Sequence, residues 1–241
     1  MMTLMDLHTH TIASGHGYST LKENIEMAQE RGLKVLGLSE HAPGIPGGPH
    51  MMFFWNYKCI PRQYGDLRLL CGVEANICDL TGKLDMDDFT LSRMDYVIAS
   101  MHTPCLESGT ALENTQAAIG AMRNPYVTIL GHPDDSRFPL EYDLLVREAV
   151  KEKVVLEVNN SSLHPLAARQ GARENIRELL LKCKEYGCPI ILGSDAHTCY
   201  AIGDFTEAEV LLKELDFPRE LIVNESLENL KMIENPKNIL K

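Results

Sequence analysis

Seven short apolar runs, continuous rather than alternating, recur along the chain at residues 4–7, 35–38, 67–73, 96–99, 127–130, 154–158 and 190–192. A strand that reads as an unbroken Val, Ile and Leu segment is covered on both faces, the environment of a parallel sheet. Amphipathic stretches at helical spacing separate the runs, at 112–123, 140–152, 174–186 and 206–215. An earlier one opens at Thr20 with Glu23 three residues on, a capping-box spacing, and closes at Arg31-Gly32, a basic residue and a glycine suited to a C-terminal cap. The link 84–93 has poor periodicity and predicts a turn or two. Alternating strands and helices imply βαβ units and an α/β fold with a parallel sheet. Periodicity alone leaves open whether that sheet is doubly wound or closed as a barrel.

The polar residues after each run favour the barrel. His8 and His10 follow the first run, Glu40 and His41 the second, and Glu74 ends the third. His102 and His132 follow the fourth and fifth, and Asp195 and His197 follow the seventh. The sixth ends without a metal-type ligand, in Asn159 and Asn160, and His16 stands in the loop after the first. In a closed βα barrel the carboxyl ends of all strands share one face, whereas an open sheet binds mainly at its switch point. A site fed by six strands therefore favours the barrel. Residues at i and i+2 on a strand point to one side, so His8 with His10, and Asp195 with His197, can grip a common ion. A single histidine after a strand is ordinarily a hydrogen-bonded structural residue; repetition over six strands outweighs that reading. Imidazoles and carboxylates without thiolate suit zinc, manganese or iron.

At 241 residues the chain suffices for one large domain, read as spanning 1–241. Its seven cysteines are odd in number and contain no C-x-x-C pair, so neither a disulfide framework nor a thiolate zinc site is indicated. Reduced thiols in a cytoplasmic protein are the plain reading. No signal peptide or membrane-length apolar stretch is visible. A formal net charge of −11 argues against a nucleic-acid surface.

The motifs D-L-H-T-H at 6–10, the isolated His16, Glu40-His41, G-V-E at 72–74, His102, G-H-P at 131–133 and G-S-D-A-H at 193–197 resemble the PHP (polymerase and histidinol phosphatase) superfamily. A-S-x-H-x-Y-S-T at 13–20, E-A-N-I at 74–77, N-T-Q-A at 114–117 and N-N-S-S at 159–162 make the chain most similar to the YcdX-type bacterial phosphatases. The resemblance implies a distorted (β/α)7, TIM-barrel-like fold and three divalent metal ions, zinc foremost, with manganese or iron as alternatives. Carried over by position, the first ion would be held by His8, His10, Glu74 and Asp195. The second would share Glu74 and add His102 and His132. The third would take His16, His41 and His197. It also implies a homo-oligomer, a trimer among the states it allows.

Three divalent ions bring six positive charges against two negative ones from Glu74 and Asp195, and that excess calls for an anionic ligand such as phosphate. The expected activity is hydrolysis of a small phosphomonoester, with a water shared by the first two ions as nucleophile. Glu74 and Asp195 are the expected catalytic carboxylates, one bridging and one anchoring. Histidinol-phosphate phosphatase, a PHP-type phosphodiesterase or nuclease, and a metal-holding binding module are the alternatives. Arg169 and His164 are candidate substrate contacts, although loop histidines such as His164 and His50 are commonly structural. Ser14 and Tyr18 are candidate supports for the ligands, and the apolar loop 44–57 is a candidate lid, subunit contact or rim packing.

Overall fold

The computed structural model describes residues 3–235. The first half runs β1 (Met5–Asp6), α1 (Leu21–Glu30), β2 (Val35–Leu38), α2 (Met51–Trp55), β3 (Gln63–Tyr64), β4 (Leu67–Cys71), β5 (Val73–Asn76), α3 (Asp88–Leu91), β6 (Val97–Ser100) and α4 (Ala111–Met122). The second half runs β7 (Ile129–Leu130), α5 (Tyr142–Glu152), β8 (Val155–Asn159), α6 (Asn160–Leu163), α7 (Ala172–Tyr186), β9 (Ile190–Gly193) and α8 (Thr206–Glu214). The expected capping box is present: Thr20 accepts from the Glu23 amide while the Glu23 carboxylate accepts from the Thr20 amide at 2.6 Å. As its weak periodicity predicts, the 84–93 link contributes only the single turn α3.

Parallel pairing orders the strands β1-β2-β4 in one sheet and β5-β6-β7-β8-β9 in a second. The short strand β3 adds to β4 as an antiparallel hairpin that the apolar pattern did not announce. The predicted third strand is divided at Gly72: β4 pairs with β2, and β5 pairs with β6. A side chain at Gly72 would overlap the ring of Tyr96, whose hydroxyl donates to the Leu7 carbonyl at 2.6 Å. Two isolated parallel bridges, His41 with Glu74 and Thr9 with Ala196, join the edges of the sheets. With β4 and β5 taken as the two halves of the predicted third strand, these bridges carry a seven-strand order back toward β1, while the ladders themselves remain two separate parallel sheets.

Period-2 alternation divides the apolar residues between two cores. Val97 and Ala99, Leu156 and Val158, and Ile190 and Leu192 pack outward with the helices, beside Ala117, Leu145, Leu179 and Leu211. Ile98, Val155 and Ile191 point the other way, into a separate cluster with Met5, Val35, Leu70 and Tyr96. Val223, Leu230 and Ile233, from the turns after α8, belong to this inner cluster and floor the strand array.

Polar side chains complete the seam between β1 and β9. Asn224 is fully buried; its amide donates to the carbonyls of Met5 and Leu192, both at 2.9 Å, and its oxygen accepts from Leu192 N at 2.7 Å. Higher up, the Asp6 carboxylate accepts from the amides of Ser194 (3.2 Å) and Gly203 (2.8 Å). Burial pushes this carboxyl up to about 6 despite those bonds. Among the described residues, no helix is long and apolar enough to cross a membrane.

Asn224→Ala would strand three buried backbone groups, and should cost roughly 3 kcal/mol or more. Urea unfolding should show a lowered midpoint with an unchanged m-value; an unaltered midpoint would mean the seam does not depend on this side chain.

Candidate metal centre

Above the inner core, the same inward face turns polar. On β8 it reads Val155, Glu157, Asn159, and on β5 it presents Glu74 and Asn76. The residues predicted as ligands gather here from six strand ends. Glu74, wholly buried, lies at the centre. Its Oε2 is 2.6 Å from His41 Nδ1, 3.4 Å from His8 Nε2 and 3.6 Å from His10 Nε2. Its Oε1 is 2.8 Å from His132 Nε2 and 3.2 Å from His102 Nε2. Asp195 Oδ1 is 3.3 Å from His10 Nε2 and 3.6 Å from both His8 Nε2 and His197 Nδ1. The exposed His16 brings its Nε2 to 2.9 Å from His197 Nε2, and its ring stacks on that of His41.

Backbone conformation is bent to this end. His132 and Asp195 hold positive φ values of 27° and 52°, a region that costs non-glycine residues energy and recurs at functional sites. Gly193 is required for a different reason: a Cβ there would overlap the carboxylate of Glu157 on the neighbouring strand.

A second layer of side chains aims the rings. Glu157 Oε1 is 2.6 Å from His8 Nδ1, while Oε2 accepts from the His132 amide at 2.7 Å. Asn76 Oδ1 accepts from His102 Nδ1 at 2.7 Å, and Asn76 in turn donates to Asp85 at 2.6 Å. Ser14 Oγ lies 3.0 Å from His10 Nδ1 and donates to Glu40 at 2.5 Å. With Nδ1 engaged, His8, His10 and His102 turn Nε2 inward. Ser14 therefore supports His10, whereas the Tyr18 ring is 82% exposed and only its backbone reaches a ligand residue, the amide donating to the His197 carbonyl at 2.8 Å. Glu157 escaped the sequence reading because it lies inside the apolar run rather than after it. Its position two residues from Val155, on a strand buried on both faces, is the signal that marks it as inward-facing.

Charges in the centre are strongly coupled. Burial alone would raise Glu74, but His41, His102 and His8 hold its carboxyl well below the usual range. Burial likewise opposes ionisation of Asp195, yet His8 and Arg169 keep it well below its ordinary value. Burial depresses His10 far below a free imidazole and takes His132 down to about 4, with Arg169 adding to the latter. His8 goes the other way: the carboxylates of Glu157, Glu74 and Asp195 overcome its burial and push it well above 6.5.

The donor set fits divalent cations. His8 Nε2, His10 Nε2, His41 Nδ1, His102 Nε2 and Glu74 Oε2 are buried and, among the described residues, meet only one another and Asp195, at ion-pair distances and without well-formed hydrogen bonds. Buried polar atoms without such bonds are costly, and here they converge on a few points. Ligand atoms fall within 4.8 Å of one another in the sets His8/His10/Glu74, His8/His132/Asp195, His41/Glu74/His102 and His10/His41/His197. His41 thus stands between two of the expected groups.

The centre opens into a cavity of about 480 Å³, lined by His16, His102 and His197 together with Arg137 and Arg169. Arg169 donates to Asp195 Oδ2 and to Ser162 Oγ, both at 2.9 Å, so it is part of the site rather than of a surface ion pair. Behind it Asp134 is fully buried, and burial pushes its carboxyl up to about 7. His164 is exposed and accepts locally from the Leu166 amide; His50 accepts from the Met52 amide and caps α2. Neither lines the cavity. The loop 44–57 is mixed: Phe54 and Tyr57 are buried in the outer core, Ile45 and Pro46 line the cavity, and Met52 and Trp55 face solvent. A larger groove of about 560 Å³ along α8 carries none of the ligands.

Comparison with known proteins places this geometry. A family model described as the PHP domain matches residues 6–161. A "Probable phosphatase" of Clostridium botulinum (strain Okra) is 44% identical over 238 residues, covering 99% of this chain and 96% of that protein. A "Probable phosphatase" of Clostridium novyi is 43% identical over 241 residues, covering 100% and 98%. Among solved structures, histidinol phosphate phosphatase from Lactococcus lactis, complexed with zinc, L-histidinol and phosphate, superposes with a TM-score of 0.59 at 16% identity, covering 90% of this chain and 95% of that one. The match spans more than half the chain and includes most of the converging ligands, and on that ground the chain belongs to the PHP domain family.

Proposed function

We propose that the protein is a phosphatase that hydrolyses small phosphomonoesters with three divalent ions held by His8, His10, His16, His41, Glu74, His102, His132, Asp195 and His197. The observation that carries this reading is the convergence of buried imidazole nitrogens on the carboxylates of Glu74 and Asp195, with ligand atoms within 4.8 Å of one another. Its nearness to relatives called probable phosphatases supports the same reaction class. Divalent ions, when bound, lower the pKa of water and polarise phosphoryl oxygens.

The chain's own residues perform the rest. Glu74 places one oxygen toward His8, His10 and His41 and the other toward His102 and His132, so it can span two neighbouring ions. Asp195 would help to hold an ion and is itself fixed by Arg169 and Asn159. Glu157 keeps the His8 ring aimed and ties it to the backbone at His132. The Arg169 guanidinium, half-buried at the cavity wall, is placed to hold a phosphoryl oxygen. The pocket sits in an acidic molecule of net charge −11, which disfavours long polyanions and argues for small esters over nucleic acid.

Reconstitution with zinc, manganese or iron, followed by a phosphomonoester panel beside a DNA substrate, tests this reading. Phosphate release from small esters with DNA left intact is expected; DNA cleavage alone would move the reading to a nuclease, and full metal occupancy without turnover to a binding module. Glu74→Ala should lose metal and activity while circular dichroism shows a folded domain; near-normal turnover would refute its bridging role. His16→Ala should cost one ion and spare the others by elemental analysis, and simultaneous loss of all metal would refute that division. Glu157→Gln should weaken metal affinity by about 10–100-fold, since supports of ligating histidines carry effects of that size; an unchanged affinity would remove Glu157 from the scheme.

A further inference from the structure

Arg137 lines the cavity beside Arg169 and has no part in the scheme above. Two cations share one cavity wall, and the positive charge of Arg169 acts against that of Arg137. Each already meets one carboxylate, Arg169 that of Asp195 and Arg137 that of Asp135, so a ligand anion would be a further partner for whichever guanidinium keeps donors exposed to the cavity.

The two arginines differ in what they have left to offer. Arg169 commits one outer nitrogen to Asp195 and the other to Ser162 and Asn159. Arg137 commits a single edge: its Nε donates to Asp135 Oδ2 at 2.8 Å and its Nη2 to the same oxygen at 2.5 Å. Its Nη1 makes no hydrogen bond among the described residues, and its side chain is 40% exposed. The guanidinium is a planar fork, so fixing one edge aims the other.

The mount is rigid. Asp135 is buried and also accepts from the Gln170 amide at 3.4 Å, while the Ser136 amide donates to the Gln170 carbonyl at 2.8 Å. These bonds sew the loop after β7 to the segment carrying Arg169, so both guanidiniums are held in one frame. Ile45, Pro46, Met101 and Phe138 add apolar lining to the same cavity.

We propose that Arg137 binds a second anionic group at the end of the substrate remote from the ester. The preferred substrates are then phosphomonoesters whose organic body ends in a carboxylate or a further phosphate. This inference rests on the phosphatase reading and names its substrate class.

The test uses metal-reconstituted full-length protein and linear alkyl phosphates of increasing length, each beside its ω-carboxylate and its α,ω-bisphosphate. At the length that spans the cavity, an anionic tail should raise kcat/KM by roughly tenfold or more, mainly through KM. Arg137→Gln should bring that ratio toward one, and Arg137→Lys should restore part of it. The carboxylate and bisphosphate arms identify which anion is taken. A ratio near one at every length in the wild type, or a ratio unaltered in Arg137→Gln, overturns the proposal. Should no ester be hydrolysed, the phosphatase reading fails, and calorimetric binding of ω-carboxyalkyl phosphonates then decides the role of Arg137 separately. Tighter binding than alkyl phosphonates, lost in Arg137→Gln, supports it; equal binding overturns it.

Discussion

Glu74 is a carboxylate with no solvent contact, surrounded by imidazole rings on both of its oxygens. Removing an ionised carboxylate from water costs several kcal/mol or more unless countercharges and hydrogen bonds replace the lost hydration. Here His41, His102 and His8 supply the countercharge; the carboxylates push His8 up, whereas burial pushes His10 and His132 down. Divalent cations would serve the same carboxylate better and satisfy the convergent nitrogens as well. The rest of the upper barrel is arranged around that demand.

Each surrounding layer carries its share of strain or polarity. Positive φ at His132 and Asp195 turns two side chains into the centre that an extended strand would point elsewhere. Gly193 gives up a side chain so that Glu157 can reach His8. The seam between β1 and β9 is closed by the single Thr9–Ala196 bridge together with Asp6 and Asn224, instead of a continuous backbone ladder. Stability is thereby supplied from the floor and the outer core, away from the site.

Much of this was readable from residue order. Seven continuous apolar runs announce buried parallel strands, and ligand-type residues after six of them announce a common face. The strands proved shorter or divided where the chain serves the site: the first run keeps only Met5–Asp6 as regular strand, and the third breaks at Gly72 against Tyr96. Glu157 was hidden because an acidic residue within an apolar run has no local signature until the strand's inner face is known to enclose a polar layer. His164 and Arg137 show the same limit. One loop residue turns away from the cavity and the other into it, and nothing in local spacing separates them.

The sequence by itself therefore determined the alternation of strands and helices, the identity of the candidate ligands and the family. These depend on periods of two and 3.6 residues and on ordered motifs, which are local properties of the chain. Tertiary structure alone decided how the strand order returns to β1, which side chains aim the imidazoles, and which arginines reach the cavity. Those outcomes depend on contacts between residues far apart in sequence, as between His8 and Glu157 or Asp135 and Gln170, where distance and desolvation rather than residue type set the interaction.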